Sequence, residues 1–335
     1  MAAYTTIDDP SAFFKCHLYS GNGSTNAQTF ADTDTDMQPD MVWIKSRSDG
    51  FSHMLYDAVR GVQKHIKPDS EAAEATDANS LTAFGSDGFT VGTNSDLNNS
   101  GDTYVAWCWK ESATAGFDIL SYSGTGSART QAHSLSAKPN WIIVKKTSAS
   151  GGSWFVYLTG GIPATNYVKL NETGATSASS SMWNNTEPTS SVFSLGTSSD
   201  VNGDGVTYVA YLWRSVQGFS KFGTYVGNGN ADGPMVYTGF SPAYVVVKNA
   251  GGDEAWNVWN NKTPGYNVAN KNLQPNSTVA EQTSSAGVKE IDFLSNGFKI
   301  RGSNTELNQS GNTHIYMAFA EAPFVNSNGV PCTAR

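Results

Sequence analysis

The sequence predicts an all-β chain made of three tandem modules, and two observations carry that prediction. A strand-like segment is written three times: Thr103-Tyr104-Val105-Ala106-Trp107-Cys108-Trp109, Thr207-Tyr208-Val209-Ala210-Tyr211-Leu212-Trp213 and Thr313-His314-Ile315-Tyr316-Met317-Ala318-Phe319. Each copy is rich in β-branched and aromatic residues, lacks Gly and Pro, and follows a Gly-containing turn, as a strand buried on both faces should. The second observation is compositional. Only 15% of the 335 residues are charged, Gly numbers 33, and helical periodicity is almost absent, which is the profile of a turn-rich β protein.

Other landmarks keep the same step. Tyr19-Ser20-Gly21-Asn22-Gly23 returns as Tyr122-Ser123-Gly124-Thr125-Gly126 and as Tyr225-Val226-Gly227-Asn228-Gly229, each 103 residues after the last. Met41-Val42-Trp43-Ile44-Lys45 matches Trp141-Ile142-Ile143-Val144-Lys145 and Tyr244-Val245-Val246-Val247-Lys248. Trp154-Phe155-Val156-Tyr157 matches Trp256-Asn257-Val258-Trp259, with His53-Met54-Leu55-Tyr56 as a weaker first copy. Phe89-Thr90-Val91, Phe193-Ser194-Leu195 and Phe298-Lys299-Ile300 precede the closing strands. Repetition of five landmarks in one order divides the chain into modules at residues 13–111, 116–215 and 218–324. An N-terminal arm, 1–12, and a C-terminal tail, 325–335, fall outside the repeat and are read as attachment points. Modules of roughly 100 residues are large enough to hold their own cores, so the expectation is small domains in a row, held in fixed orientation by short joints.

Taken in order, a first strand over 14–19 runs into the Gly-Asn-Gly turn, where glycine supplies positive φ at little cost. A loop follows in which Asp32, Asp34 and Asp36 could gather a cation, with a solvated loop the default reading, and then the second strand ends on Lys45, read like Lys145 and Lys248 as a solvated lysine that blunts an edge. Residues 53–81 vary most between modules. Their counterpart at 174–181 holds only Gly, Ala, Thr and Ser, which is the mark of a loop whose content drifts. The core of the repeat is assigned to Tyr104, Trp109, Tyr208, Trp213, Ile315 and Phe319.

The net charge of −8 and the lack of a basic stripe exclude phosphate-backbone binding, so nucleic acid is not a partner. No apolar run is long enough to cross a bilayer as a helix, and residues 1–6 do not read as a secretion signal. The three cysteines, Cys16, Cys108 and Cys332, suit buried thiols better than a disulfide framework or zinc site. The five histidines occupy unrelated places in the modules, and no nucleophile elbow, phosphate loop or metalloprotease motif occurs, so the chain is read as non-enzymatic.

Two binding sites are weighed. Asp200, Asn202 and Asp204 match the opening of a calcium loop, but the twelfth position is Tyr211 within a strand, and a hairpin explains the turn equally well. No cofactor is therefore assigned, with calcium the one candidate. Trp183, Asn184 and Asn185 lie in the variable loop at 174–185, where Trp183 is the one tryptophan outside the repeated strands. They are the candidates for a glycan or partner contact, with Trp183 as an internal anchor of the loop the equally good reading.

Residues 4–11 (YTTIDDPS), 103–118 (TYVAWCWKESATAGFD), 223–242 (GTYVGNGNADGPMVYTGFSP) and 317–325 (MAFAEAPFV) resemble repeat-containing structural proteins of marine tailed bacteriophages. The resemblance spans the chain and carries no catalytic motif. It implies jelly-roll or concanavalin-like β-sandwich modules and a place in a virion, as a tail fibre or capsid-decoration protein assembled in the host cytoplasm and released by lysis. Other virion proteins and further copies of the chain, a trimer included, are the partners it implies. A glycan-binding receptor-recognition protein is the first alternative and a polysaccharide-degrading enzyme the second.

Overall fold

The computed structural model describes residues 3–31 and 35–332. It is all-β: antiparallel sheets make the framework, and the α-helices are single turns. Three main sheets share one strand order. In the first, Phe14–Ser20 pairs with Thr103–Trp109, which pairs with Met41–Ser46, which pairs with Met54–Asp57. The second repeats this with Phe117–Ser123, Thr207–Trp213, Trp141–Lys146 and Trp154–Leu158, then adds Asn166–Lys169 and Ser177–Ala178 at its edge. The third uses Ser220–Val226, Thr313–Pro323, Phe240–Asn249 and Asn257–Asn260. The strand that the sequence writes three times is thus central in every sheet, hydrogen-bonded on both sides.

Registers match as well: Tyr19 lies opposite Tyr104, Tyr122 opposite Tyr208, and Tyr225 opposite His314. The three ring pairs stack at 5.1, 5.1 and 5.0 Å between centroids. Each first-strand tyrosine hydroxyl donates to the third residue of a one-turn helix, at Leu97, Val201 and Leu307 respectively.

Side chains of the central strands alternate between two cores, because successive residues of a strand point to opposite faces. Tyr104, Ala106 and Cys108 face outward under a small sheet of Asn26–Thr29, Gly88–Val91 and Leu81–Gly85. Tyr208, Ala210 and Leu212 do the same in the second unit, and Tyr316, Ala318 and Ala320 in the third. The other face is shared. Val105, Trp107 and Trp109 enter one cluster with Val209, Tyr211 and Trp213 and with Ile315, Met317 and Phe319.

Within that central cluster Phe14 stacks on Phe319 at 5.0 Å, and Trp109 meets Trp213, Tyr244 and Phe319 at 6.5, 5.7 and 5.7 Å. All nine tryptophans are buried. Each unit keeps an outer core of its own, and the inner faces of the three sheets converge on a further core that they share. The reason is area: a two-layer unit covers only the outer face of its main sheet, and the inner face finds cover against the other two.

The N-terminal arm is not free. Thr5 and Ile7 are buried, Ile7 belongs to the central cluster, and the Thr5 hydroxyl donates to the Gln217 carbonyl. Asp8 accepts from the Ser327 backbone N–H at 2.6 Å, which joins arm to tail. Substituting Trp109 by Ala should lower the unfolding free energy by roughly 3–5 kcal/mol, while Val59→Ala at an exposed turn should stay within about 0.5 kcal/mol. Urea unfolding followed by tryptophan fluorescence measures both, and equal effects would contradict a central core built on Trp109.

Candidate functional site

Polar contacts join the three units along seams. After each second strand the chain turns, and the backbone two residues past the terminal lysine accepts a hydrogen bond from the preceding unit. Glu74 donates to Thr147 at 2.9 Å, Thr176 to Ala250 at 3.0 Å, and Glu281 to Arg47 at 2.9 Å, backbone to backbone. The third of these returns from the last unit to the first, so the units form a closed ring.

A second set of contacts runs the opposite way round. Trp154 Nε1 donates to the Lys67 carbonyl at 3.0 Å, Trp256 Nε1 to the Lys169 carbonyl at 2.9 Å, and His53 meets the Gln274 carbonyl at 3.0 Å through Nε2. His53 stands where the other units have tryptophan, and the lost volume is restored one strand away. Trp43 occupies the place of Ile143 and Val246, and its Nε1 donates to His53 Nδ1 at 2.9 Å. Because Nδ1 accepts, the neutral ring carries its proton on Nε2 and donates it to Gln274. Complete burial, with Lys45 nearby, holds the His53 pKa down to about 3.

Side chains reinforce the seams unevenly. Arg47 makes a two-pronged pair with Glu281 at 3.0 and 2.9 Å. Between the first and second units, buried Asp57 accepts from Arg60 Nε and from the Tyr211 hydroxyl, both at 2.6 Å.

Lys45, Lys145 and Lys248 are not solvated edge residues: all three are fully buried. Lys45 Nζ donates to the Ser46 and Asp49 carbonyls, Lys145 to Gly152, and Lys248 to Asn249 and Gly252. Burial lowers each pKa to about 8. The repeated lysine is therefore a clamp that ties the seam turn to the strand end, with backbone carbonyls as its partners.

The residue that sequence reasoning missed is the fourth of each one-turn helix. Asn98, Asn202 and Asn308 are fully buried and join three segments. Their amides donate to Gly92, Gly196 and Gly302, and their carbonyl oxygens accept from the backbone N–H groups of Asn22, Thr125 and Asn228. At the same crossing a Cβ on Gly21, Gly124 or Gly227 would stand 2.1, 2.2 or 2.3 Å from a backbone oxygen, so only glycine fits. The signal was present as an Asn at one place in all three copies, hidden among ordinary turn residues.

That assignment also locates the calcium candidates. Asn202 is spent on the three-way junction, Asp204 is exposed, and Asp200 faces Lys146 at 3.7 Å. Asp96 and Glu306, at the same helix position, face Lys67 at 3.5 Å and Lys289 at 2.7 Å. Each carboxylate already has a cation beside it, and among the described residues no cluster of three His, Cys, Asp or Glu is placed to hold a metal. Asp32 and Asp34 lie outside the described residues, and Asp36 is exposed.

Trp183 corrects the other candidate site. Its ring is buried at 2% exposure, 5.9 Å from Tyr157 in the outer core of the second unit, so it anchors the loop and offers no contact surface. Asn184 and Asn185 remain exposed, with φ of 50° and 49°. Cys16 and Cys108 are buried as expected, whereas Cys332 is exposed. Tyr104, Trp109, Tyr208, Trp213, Ile315 and Phe319 are all buried.

Fold and seams define an all-β protein in which three sheets close into a ring about a shared aromatic core. The chain belongs to the family described as a domain of unknown function, DUF7483, whose model matches residues 9–323. A search of the curated proteins finds no match.

Acid should weaken the His53 seam. A histidine whose pKa is lower folded than unfolded contributes stability that is present above its ordinary value of about 6.5 and is lost as pH falls toward 3. His65, His133 and His314 are likewise held below the ordinary value, with burial as the largest cause, and act in the same sense. The double substitution W43I/H53W recreates the arrangement of the other units. In urea titrations it should lose less stability than the wild type between pH 7 and 4, by on the order of 3 kcal/mol. An unchanged pH dependence would contradict the role given to His53.

Proposed function

We propose that this chain is a non-enzymatic structural protein of a tailed-phage particle, displayed on the tail or capsid, and that its three sheet pairs are copies of one β-sandwich unit. The observation that carries the structural role is the ring closed by the backbone pairs at Arg47, Thr147 and Ala250. It spends the polar groups of three seams on holding the chain to itself and leaves turns of Gly, Ser, Asn and Asp on the outside. Such a body is suited to occupy space and persist. Resemblance of residues 4–11, 103–118, 223–242 and 317–325 to phage structural proteins supports a place in a particle.

Attachment through the two chain ends is supported by their meeting at Asp8 and Ser327, which gives the body one pole. Because arm residue Ile7 enters the central cluster, the arm is an unsuitable segment to delete as a test of incorporation. Other virion proteins are the partners, and the ring supplies within one chain the three-fold arrangement that fibres obtain by assembling three chains.

Particles banded in a density gradient and digested for mass spectrometry should contain this chain in stoichiometric amount, and antibodies raised against it should label intact particles by electron microscopy. Absence from particles, with the protein confined to the soluble lysate, contradicts the proposal.

A further inference from the structure

A groove of about 990 Å³ opens on the third unit, between the loop after Asn257–Asn260 and the turn joining Ile291–Leu294 to Gly297–Ile300. Its size lies at the upper end of the roughly 300–1,000 Å³ usual for small-ligand sites. Nothing in the structural role given above uses it.

Its walls have a particular chemistry. Tyr266 stands at the groove 73% exposed, in a molecule that buries every tryptophan. Beside it, Asn261 Oδ1 is buried and has no hydrogen-bond partner among the described residues, an acceptor with nothing to accept. An unpaired buried acceptor costs about 1–3 kcal/mol, so a ligand hydroxyl that reached it would recover that penalty. Asn296 and Ser295 add further polar groups, and Lys262 and Glu321 contribute one charge of each sign. The loop that carries Tyr266 is fixed from within: the Asn267 amide donates to the Phe293 carbonyl at 2.7 Å and accepts from the Phe293 N–H at 2.9 Å. A site fixed before binding does not spend affinity on ordering itself.

We infer that this groove binds a neutral oligosaccharide. A pyranose presents one C–H face to an aromatic ring and a rim of hydroxyls to amides and hydroxyls, which is the combination of Tyr266 with Asn261, Asn296 and Ser295. A phosphate backbone would require clustered cations, and the groove has one lysine opposed by one glutamate. An added peptide strand would require an open backbone edge, and here Val258 already pairs with Leu273 and Asn260 with Thr263. The site is distinct from the loop at 174–185, whose tryptophan is internal.

The full chain should be applied to a printed array of neutral and acidic bacterial surface oligosaccharides, followed by titration of any glycan bound. Binding to at least one neutral glycan is expected. Tyr266→Ala should raise the half-saturating concentration about tenfold or more, and Tyr266→Phe should retain most of the binding because the stacking face survives. Both variants should melt at the wild-type temperature, since the side chain is exposed. A blank array, binding confined to acidic glycans, or binding unchanged in Tyr266→Ala overturns the inference. None of these outcomes depends on where the protein sits in a particle.

Discussion

The inner faces of three β-sheets have no water to turn to and no cover except each other. That constraint sets the rest of the structure. Each central strand carries a large apolar side chain at its inner end, Trp109, Trp213 or Phe319, and these meet in one cluster with Phe14 and Tyr244. Fully burying one such side chain is worth about 1.5–3 kcal/mol, so the shared core is a large term beside the 5–15 kcal/mol net stability of a typical protein. A single unit alone would leave that face exposed. The short joints at 112–115 and 216–217 then need only connect what the core already holds.

The sheets meet along seams that carry polar groups. A buried backbone N–H or C=O without a partner is costly, so each seam must pair its own groups. It does so with main-chain hydrogen bonds at Arg47, Thr147 and Ala250, and this explains a contrast within the sequence. The segments that supply the donors, around Glu74, Thr176 and Glu281, share almost no side-chain character. A contact made by backbone tolerates changing side chains, whereas Lys45, Lys145 and Lys248 act through their ammonium groups and recur unchanged. The exchange of Trp43 and His53 for the Ile143 and Trp154 pair shows the same rule in the core, where volume and one hydrogen bond are kept while the residues that supply them trade places.

Much of this was legible in advance. Low charge, turn glycines and the thrice-written central strand identified an all-β chain, because those features report local geometry. The common core was not legible. Inward and outward residues of a strand buried on both faces look alike, and nothing in Val105-Ala106-Trp107 says which face meets a neighbouring unit. Lys45 was misread for a related reason: a lysine at a strand end is ordinarily solvated, and here the turn that follows folds its carbonyls over the ammonium group. Trp183 had two readings, a surface contact and a loop anchor, which a loop position alone does not separate; a one-turn helix over Ser180–Trp183 turns the ring inward and makes it the anchor. Asn98, Asn202 and Asn308 were hidden among turn residues whose usual task is local. Tyr266 escaped notice because no other unit has a counterpart to compare it with.

Native-state hydrogen exchange at the backbone amides of Glu74, Thr176 and Glu281 tests ring closure most directly. If the three seams open only when the shared core does, these amides should exchange with the same free energy as those of the central strands, within about 1 kcal/mol. Exchange of the Glu281 amide through a much smaller local opening, with Glu74 and Thr176 still protected, would show an open chain of units and contradict the account.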